Sequence, residues 1–402
     1  MNPNNLITGR DIVVVGQQPW DVEIGSNCKN IALEFSKHNR VLYVNSPLDR
    51  ITLYKHKNEP KIQKRIQVIQ GKEPSIVVLQ NNLWNLFPDK MIESINWIKS
   101  QFIFEFLNKW NNKKFAQSIQ KAIDALGFKD VILFNDNDMF RCFYLQEYLK
   151  PSVSIYYSRD YMLAVDYWKL HGEKIEPELI AKSNVCVANS TYLANYCKQY
   201  NPHSYYVGQG CELDIFMNAH TTQKPSDLQN IASPIIGYVG ALQSLRLSIE
   251  IIAHIATQQS NWNIVLVGPE DDDFKKCSLH QMPNVHFLGS KEPSSLPAYI
   301  QAFDVCINPQ IVSQVTIGNY PRKIDEYLAV GKPVVATTTE AMSIFKDHTY
   351  LANTKEEYVQ YIQHALEKNN ETLYHQRRAF AATHTWENSV AAIYEAIKNV
   401  ML

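Results

Sequence analysis

The feature that most constrains the fold of this chain is a regular alternation of short β-branched runs with longer segments of helical periodicity, which occurs twice along its 402 residues. Such an alternation predicts parallel sheets covered by helices. In the first half, it predicts strands at Asp11–Val15, Val41–Asn45, Ile76–Leu79, Val131–Phe134, Val153–Tyr157 and Asn184–Ala188, and helices at Cys28–Lys37, Ile92–Leu126, Phe140–Leu149 and Tyr192–Tyr200. In the second half, it predicts strands at Ile235–Val239, Asn263–Val267, Val285–Leu288, Val305–Asn308 and Pro333–Thr337, and helices at Leu247–Gln258, Leu296–Ala302, Lys323–Val330 and Tyr358–Lys368.

A polar, proline-containing segment without periodicity, Asn218–Ser233, separates the two halves and is predicted to be a linker. The expected fold is therefore α/β, with two Rossmann-like, doubly wound parallel-sheet domains that face a ligand-binding cleft. The predicted domains are residues 1–217, the linker 218–233, residues 234–375, and a C-terminal helical segment at 376–402. The amphipathic end of that segment, Thr385–Leu402, is expected either to cross back to the N-terminal domain or to pack as a terminal core helix.

Composition excludes several classes of protein. The net charge of −1 gives no basic footprint for nucleic acid. The seven cysteines include no Cys-x-x-Cys pair, which argues against a zinc site and a disulfide framework. The N-terminus lacks a signal-peptide pattern, and no run of about 18 apolar residues occurs, so we expect a cytoplasmic protein.

The most informative segment is Asn308–Thr337, in which a predicted strand is followed by a long polar loop and a predicted helix. Pro321 suits the first helical position, where its missing N–H would be unpaired anyway. The beginning of a helix offers free backbone donors and partial positive charge, which suit a diphosphate. The candidate donor-binding residues here are Asn319, Pro321, Arg322, Lys323 and Glu326.

Two side chains of this helix could complete a nucleotide site. Lys323 would add a full positive charge in the first turn, and Glu326 lies one turn further on the same face. A carboxylate at that position can accept hydrogen bonds from a ribose diol while it stays clear of the phosphates. The alternative interpretation is a surface ion pair of Glu326 with Lys323 or Arg322.

The letters PRKIDEYLAVGKPVVAT at Pro321–Thr337 resemble the P-x-K-l-x-E-Y-l-a-x-G-k-P-V-V-a-T segment of bacterial glycosyltransferases with the GT-B fold, especially glycosyltransferase family 4 (glycosyl transferases group 1). Further matches occur in the family's order and cover nearly the whole chain. They are Ala188–Ser190, Gly208–Phe216, Ile235–Leu242, Asn263–Pro269 and Val285–Gly289.

The resemblance implies transfer of a sugar from a nucleoside-diphosphate sugar, with a UDP-sugar the expected donor, to a glycan or lipid-linked acceptor. It also implies a role in cell-surface polysaccharide biosynthesis. In such enzymes the residue matching Glu326 contacts the ribose, and basic groups, here Lys323 and Arg246, neutralise the leaving diphosphate. Gly240 would allow close approach of the backbone to phosphate. We expect no cofactor besides the donor and no metal.

Two departures from the family pattern leave the chemistry open. Many members carry Glu-x7-Glu, whereas Gly318 occupies the first of these positions, and Ala241 replaces an arginine that often follows the glycine turn. Retention and inversion of configuration therefore both stay open. A sugar-nucleotide epimerase of the same fold and a non-catalytic sugar-nucleotide-binding subunit are the alternatives. A dehydrogenase is more distant, because no glycine fingerprint follows the first strand.

The N-terminal half offers acceptor-side candidates at strand ends. Arg159 and Asp160 follow a predicted strand, and Asp160 is proposed as a general base or acceptor-orienting group with Arg159 as its partner. The alternative is an ion pair that fixes a turn. Asp138 closes an Asp-x-Asp sequence and is interpreted as an acceptor contact or helix cap rather than a metal ligand. The loop after the first strand adds Asp21, Glu23 and Ser26 as plausible contacts.

The segment Ile92–Lys114 is amphipathic, with four large aromatic residues beside four lysines. It could dock on an anionic membrane that presents a lipid-linked acceptor, which would place the protein peripherally at the inner face of the cell membrane. The other interpretation is a helix packed on the sheet.

Overall fold

The computed structural model describes residues 6–22, 25–218 and 224–401, and the chain forms two compact units. The first unit comprises Met1–Gly210 together with Trp386–Leu402, and the second comprises Cys211–Thr385. The segment interpreted as a linker belongs to the second unit, because its Leu228 and Ile231 are buried in that unit's core.

The first unit is built on a sheet of eight strands, counted over the described residues. Its order is β3-β4-β2-β1-β5-β6-β7-β8, and every pairing is parallel except the antiparallel β3–β4 edge. The central strands are rich in valine and isoleucine and buried on both faces, as expected for a parallel sheet between helices. The strands are β1 (Asp11–Val15), β2 (Arg40–Val44), β3 (Ile76–Gln80), β4 (Leu83–Leu86), β5 (Ile132–Asp136), β6 (Val153–Ser158), β7 (Val185–Ala188) and β8 (Ser204–Tyr206).

Helices cover the two faces of this sheet. They are α1 (Asn27–Ser36), α2 (Arg50–His56), α3 (Pro60–Ile69), α4 (Gln101–Leu126), α5 (Leu145–Leu149), α6 (Asp166–Lys182), α7 (Thr191–Lys198) and, from the end of the chain, α15 (Trp386–Met401). The last helix packs Val390, Ile393 and Tyr394 into the same core cluster as Phe35 of α1.

The second unit has a wholly parallel sheet of six strands within the described ranges, in the order β11-β10-β9-β12-β13-β14. Its strands are β9 (Ile235–Val239), β10 (Asn263–Val267), β11 (Val285–Gly289), β12 (Val305–Asn308), β13 (Val334–Thr337) and β14 (Tyr350–Ala352). Its helices are α8 (Asp214–Met217), α9 (Ile249–Gln258), α10 (Asp272–Lys276), α11 (Leu296–Ala302), α12 (Arg322–Ala329), α13 (Lys355–Lys368) and α14 (Glu371–Ala381).

In the second unit the chain winds outward from β9 in one direction to β11, and then from β12 in the other direction to β14. The direction of winding reverses between β9 and β12, and ligands of doubly wound sheets bind beyond the carboxyl ends of the strands at such a reversal. The same reversal lies between β1 and β5 of the first unit.

The sequence-based prediction placed the beginnings of two helices too early. The helix expected at Ile92–Leu126 starts only at Gln101. Ile92 instead donates its backbone N–H to Leu48 and pairs with Asp49 as an isolated parallel bridge, so this stretch of backbone is extended. Likewise, the helix expected from Phe140 begins at Leu145.

Candidate functional site

Two glycine loops meet at the carboxyl ends of β9 and β10. Gly240 has a φ of +141° and Gly268 a φ of +150°, a backbone conformation that residues with a Cβ rarely adopt. A Cβ on Gly268 would lie 2.0 Å from the carbonyl oxygen of Gly240. These loops therefore need glycine at both positions to pack this closely.

Lys323, in the first turn of α12, reaches the Gly240 loop. Its Nζ donates a hydrogen bond of 2.5 Å to the Tyr238 hydroxyl and lies 4.1 Å from the centroid of that ring. A Cβ placed on Gly240 would be 3.0 Å from the same Nζ. The structure thus brings together two predicted site residues that are distant in sequence, at the point where the winding of the sheet reverses.

The beginning of α12 faces this point without a side-chain cap. Pro321 occupies the N-cap position and gives the first turn no side-chain hydrogen bond of its own. The first backbone N–H groups of a helix lack partners within the helix and attract anions. The start of α12 and the ammonium group of Lys323 are therefore well arranged to hold a phosphate-bearing ligand.

Glu326 lies one turn further along α12, and its side chain is 15% exposed. Burial raises the pKa of Glu326, an effect that the nearby Arg322 guanidinium opposes. The Arg322 Nε donates to Glu326 Oε1 at 3.3 Å, so the ion pair considered from the sequence is present. Arg322 itself is about half exposed, which leaves it free to exchange this partner for a ligand.

The remaining donor-side candidates lie in neighbouring loops. Arg246 is exposed, and its backbone carbonyl accepts a hydrogen bond from Ile311, just beyond β12. Its side chain forms no ion pair with any residue that the structure describes. Asn319 is partly buried, lies three residues before the start of α12, and closes a turn on Thr316. Both lie near the reversal between β9 and β12.

A buried network that the sequence analysis missed holds the start of α12. Asp325 is fully buried and accepts hydrogen bonds from the Tyr320 hydroxyl at 2.8 Å and from His384 Nδ1 at 2.5 Å. The Cys211 thiol is 3.2 Å from the same carboxylate. Because Tyr320 directly precedes Pro321, this network fixes the chain where it enters the helix.

Tyr327 supplies a second connection that was not predicted. Its hydroxyl accepts from the backbone N–H of Val239 at 2.8 Å and donates to the carbonyl of the same residue at 3.3 Å. The hydroxyl therefore ties α12 to the last residue of β9, directly before Gly240. Tyr327 directly follows the candidate residue Glu326, and this position could have suggested a role. Its hydrogen-bond partner is a backbone group, however, and no sequence pattern reveals such a partner.

In the first unit, Arg159 forms the centre of a polar cluster beyond β5 and β6. Its Nε donates to the fully buried Asp136 at 2.8 Å, its NH1 to Asp160 at 2.7 Å and its NH2 to Gln17 Oε1 at 3.0 Å. The charge of Asp136 raises the pKa of Arg159. The ion pair considered from the sequence is thus present, and the side chain of Asp160 remains 46% exposed.

A chain of buried hydrogen bonds positions the backbone of this cluster. The Asn137 Oδ1 accepts from the N–H groups of Arg159 and Asp160 at 2.8 Å and 3.0 Å, while its Nδ2 donates to the Tyr156 hydroxyl at 3.1 Å. That hydroxyl in turn donates to Glu176 at 2.5 Å. Burial raises the pKa of Glu176 to about 7, although hydrogen bonds from two tyrosines oppose the shift.

The other acceptor-side candidates have structural partners. Asp138 is buried and accepts from the backbone N–H and the Nε of Arg141, which makes it the cap of a turn. Ser26 caps α1 by accepting from the N–H of Lys29. Arg65 donates two hydrogen bonds of 2.9 Å to Asp21. Burial acts to raise the pKa of Asp21, but hydrogen bonding and charge from Arg65 bring it below its usual value. Glu23 lies outside the described residues, and contact of these groups with an acceptor stays a prediction.

Comparison with known proteins gives matches of two kinds. Residues 233–368 match the family described as "Glycosyl transferases group 1". TuaH of Bacillus subtilis (strain 168), whose name assigns it provisionally to teichuronic acid biosynthesis as a glycosyltransferase, is 29% identical over 188 residues, or 45% of this chain and 47% of TuaH. The alignment thus spans about half the length of this relative.

Solved structures match over almost the whole chain. Sucrose-phosphate synthase from Thermosynechococcus elongatus has a TM-score of 0.63 at 13% identity and covers 98% of this chain and 99% of its own. HepE of Anabaena in complex with UDP has a TM-score of 0.61 at 13% identity, with the same coverage. Trehalose 6-phosphate synthase from Burkholderia multivorans has a TM-score of 0.65 at 10% identity and covers 98% of this chain and 97% of its own.

Proposed function

We propose that this chain, which has the GT-B fold and whose residues 233–368 match the group 1 glycosyltransferases, moves a sugar from a nucleoside-diphosphate sugar to a glycan or lipid-linked acceptor. The observation that carries the proposal is the position of Lys323, beside Gly240 where the winding of the sheet reverses between β9 and β12. The comparisons give no support to an epimerase or to a non-catalytic subunit. We infer a role in cell-surface polysaccharide assembly from the likeness to TuaH.

The donor we propose is a UDP-sugar that carries a hexose. HepE, which shares the fold, has been crystallised with UDP and with UDP-glucose. In this chain the diphosphate would rest against the start of α12 and Lys323, and Glu326 would accept hydrogen bonds from the ribose. The raised pKa of Glu326 reflects a partly dry environment, in which a hydrogen bond to a ribose hydroxyl is stronger than in water.

We propose that the leaving diphosphate is stabilised by side-chain cations rather than by a metal. Lys323 and Arg246 form no ion pair with a residue that the structure describes, although the charge of Lys323 lowers the pKa of the nearby Glu326. Fixed positive groups aimed at developing negative charge lower the barrier of such a reaction. Activity that survives EDTA would support this proposal, and reversible loss in EDTA with recovery in Mg²⁺ would contradict it.

Asp160 is the acceptor-side residue that we propose to contact the reacting hydroxyl. Its backbone is held by Asn137, while nearly half of its side chain is exposed. A carboxylate in this state can orient an acceptor hydroxyl or accept its proton. The configuration of the product, read by NMR, separates the two routes, because a base is required at this position only in an inverting reaction.

Contact with a membrane is a finer part of the proposal. The outward face of α4 exposes Phe102, Ile103, Phe106 and Trp110 at 42–80%, and Lys109 and Lys113 share this face. Large apolar side chains flanked by lysines suit the interface of an anionic bilayer. No helix of the described residues is long and apolar enough to cross a membrane. Flotation with liposomes of anionic lipid, lost in Phe102→Ser with Phe106→Ser, would support peripheral membrane binding.

The test of the proposed function begins with a thermal-shift screen of UDP-, GDP- and dTDP-sugars. The stabilising nucleotide sugar is then incubated with the protein, and release of the nucleoside diphosphate is followed. Slow release that accelerates with an acceptor supports a transferase. Interconversion of the sugar without release would show an epimerase, and binding with neither reaction would show a non-catalytic subunit.

A further inference from the structure

A cavity of about 800 Å³ lies within the first unit and has no role in the mechanism described so far. Its lining comes from four stretches that follow the carboxyl ends of β2, β4, β5 and β6, from Gln17 after β1, and from Asn108 and Asn111 of α4. The volume falls within the range of small-ligand sites, and a parallel sheet places such sites at this edge. The stretches are residues 47–55, 92–97, 138–141 and 166–170.

Aromatic faces are available in the lining of this cavity. Trp97 is 69% exposed and Tyr167 is 59% exposed. Each ring is held in place, since Trp97 Nε1 donates to the Ser94 carbonyl at 2.8 Å and Tyr167 packs edge-on against Trp168 at 5.1 Å. Rigid, exposed aromatic rings can stack on the C–H face of a sugar ring and lose little conformational entropy in doing so.

Polar groups in the same lining remain available for hydrogen bonds. The Nε2 of Gln17 is buried and lacks a partner within the described part of the chain. Lys55 and Asp166 also line the cavity, and neither forms an ion pair with a described residue. Since a buried unpaired amide donor is costly, a ligand oxygen that accepts from Gln17 would bind favourably.

The cavity is connected to the candidate base by Gln17. The Oε1 of this residue accepts a hydrogen bond from Arg159, and Arg159 holds Asp160. A saccharide in the cavity would therefore extend toward the carboxylate that we propose to contact the reacting hydroxyl. Lys55 and Asp166, which also line the cavity, could form hydrogen bonds with a saccharide but not with an acyl or prenyl chain.

We propose that this cavity is a saccharide-binding subsite, in which a short oligosaccharide stretch of the acceptor stacks on Trp97 and Tyr167. This inference rests on the proposed function. It requires that the acceptor already carries a glycan before the transfer. The non-reacting sugars would be held here, and their binding energy would position the terminal hydroxyl.

The test compares Trp97→Ala and Tyr167→Ala with Tyr54→Ala, a matched control. Tyr54 is 88% exposed on α2 and does not line the cavity. The full chain and each variant are screened against an array of bacterial cell-wall oligosaccharides, and the ligands found are titrated by saturation-transfer NMR. We expect roughly tenfold weaker glycan binding for the two cavity variants, the scale of one aromatic contact, and unchanged binding for the control.

Binding of UDP, followed by thermal shift, separates the possible failures. All three variants should bind UDP as the original chain does, because the substituted residues lie in the first unit and the donor candidates in the second. If Trp97→Ala and Tyr167→Ala each bind glycan as tightly as the original chain, the proposal of a saccharide-binding subsite is wrong. The proposal is also wrong if the original chain binds UDP but no glycan. Displacement of the glycan by decyl phosphate would contradict it too, because the cavity would then accept an alkyl chain. Failure of every form to bind a nucleotide would instead contradict the proposed function.

Discussion

The ammonium group of Lys323 donates to a tyrosine hydroxyl and has no carboxylate partner within the described ranges of the chain. Tyr238 orients the lysine without neutralising it, and Gly240 leaves room for it, since a Cβ there would crowd the Nζ. A full positive charge is thus held in a fixed position at the end of β9. Preorganisation of this kind is what stabilises a leaving diphosphate.

Replacement of Lys323 by methionine should therefore reduce turnover by roughly a hundredfold or more, the scale of losing one such stabilising group. The loss is expected mainly in kcat, because the charge on the diphosphate grows as the bond to the sugar breaks. Release of nucleoside diphosphate from the donor is the measurement. Lys276→Met, at an exposed position on α10, is the matched control. Equal rates in the two variants would remove Lys323 from the site.

Glu176 allows a prediction about pH. Burial raises the pKa of this carboxyl from 4.5 to about 7 in the folded protein. The folded state then binds the proton more tightly than the unfolded state does. The stability that this group contributes is complete below pH 4.5 and is lost as the pH rises through 7, by about 3 kcal/mol in all.

Glu176→Gln should consequently flatten the dependence of unfolding free energy on pH between about 4.5 and 7. Urea denaturation at a series of pH values measures this slope. The control, Glu178→Gln, lies on the exposed side of the same helix and should keep the original slope. If the slope is the same in all three proteins, the Glu176 proton is not linked to folding.

At the scale of elements, the donor-side site depends on how α12 is joined to β9. The helix is short, running from Arg322 to Ala329, and its position cannot come from its own propensity. Tyr327 connects it to Val239, and Asp325 connects it to Tyr320 and His384. Tyr327 and Asp325 thus hold α12 in place, while Lys323 and Glu326 remain the candidates for ligand contact.

Tyr327→Phe removes the hydroxyl that satisfies both backbone groups of Val239. We expect a loss of about 1–3 kcal/mol in unfolding free energy, the cost of leaving buried polar groups unpaired. Donor binding should also become weaker, because Tyr327 would no longer fix the position of Lys323 on α12 relative to Gly240. Thermal unfolding with and without UDP measures both effects. Tyr374→Phe is the control, since that hydroxyl makes no hydrogen bond with a described residue. Donor affinity that stays unchanged would show that this connection does not position the site.

The sequence was sufficient to predict the elements with strong local signals. Strands such as β1, β9 and β10 are continuous apolar runs, and their predicted bounds match the structure. The short strands β4, β8 and β14 were not predicted, because their few residues lack the continuous β-branched run that identified β7 and β12. Pairing between distant segments also escaped prediction, as the extended backbone at Ile92 shows.

The residues of the candidate site also fall into two groups, those that local sequence features predict and those that they do not. Lys323 and Gly240 could be proposed from the sequence because a helix start and a glycine turn are local features. Asp325, Tyr327 and Glu176 could not, because their partners lie on other elements or are backbone groups. The match of residues 233–368 to group 1 glycosyltransferases supports the resemblance seen at Pro321–Thr337, whereas the role of this helix in donor binding stays a prediction.

At the scale of the whole molecule, the two units are not consecutive in sequence. The last helix of the chain, α15, packs in the core of the first unit, although the whole second unit lies between α15 and the rest of that unit in the sequence. Tyr394 of this helix is fully buried, accepts a hydrogen bond from Asn39 at 2.9 Å and packs 5.5 Å from Phe35. The stability of the N-terminal sheet therefore depends on residues more than 350 positions away.

Tyr394→Ala should destabilise the first unit by about 3–5 kcal/mol, the usual cost of removing a buried aromatic side chain. The control is the next residue, because Glu395 is exposed and Glu395→Ala should have little effect. Hydrogen exchange followed by mass spectrometry distinguishes the units. In Tyr394→Ala, exchange should accelerate in α1 and β1, which begin the chain, and remain slow in β9 and β12. Faster exchange confined to the second unit, which immediately precedes the helix in sequence, would show that α15 does not stabilise the sheet on which it packs.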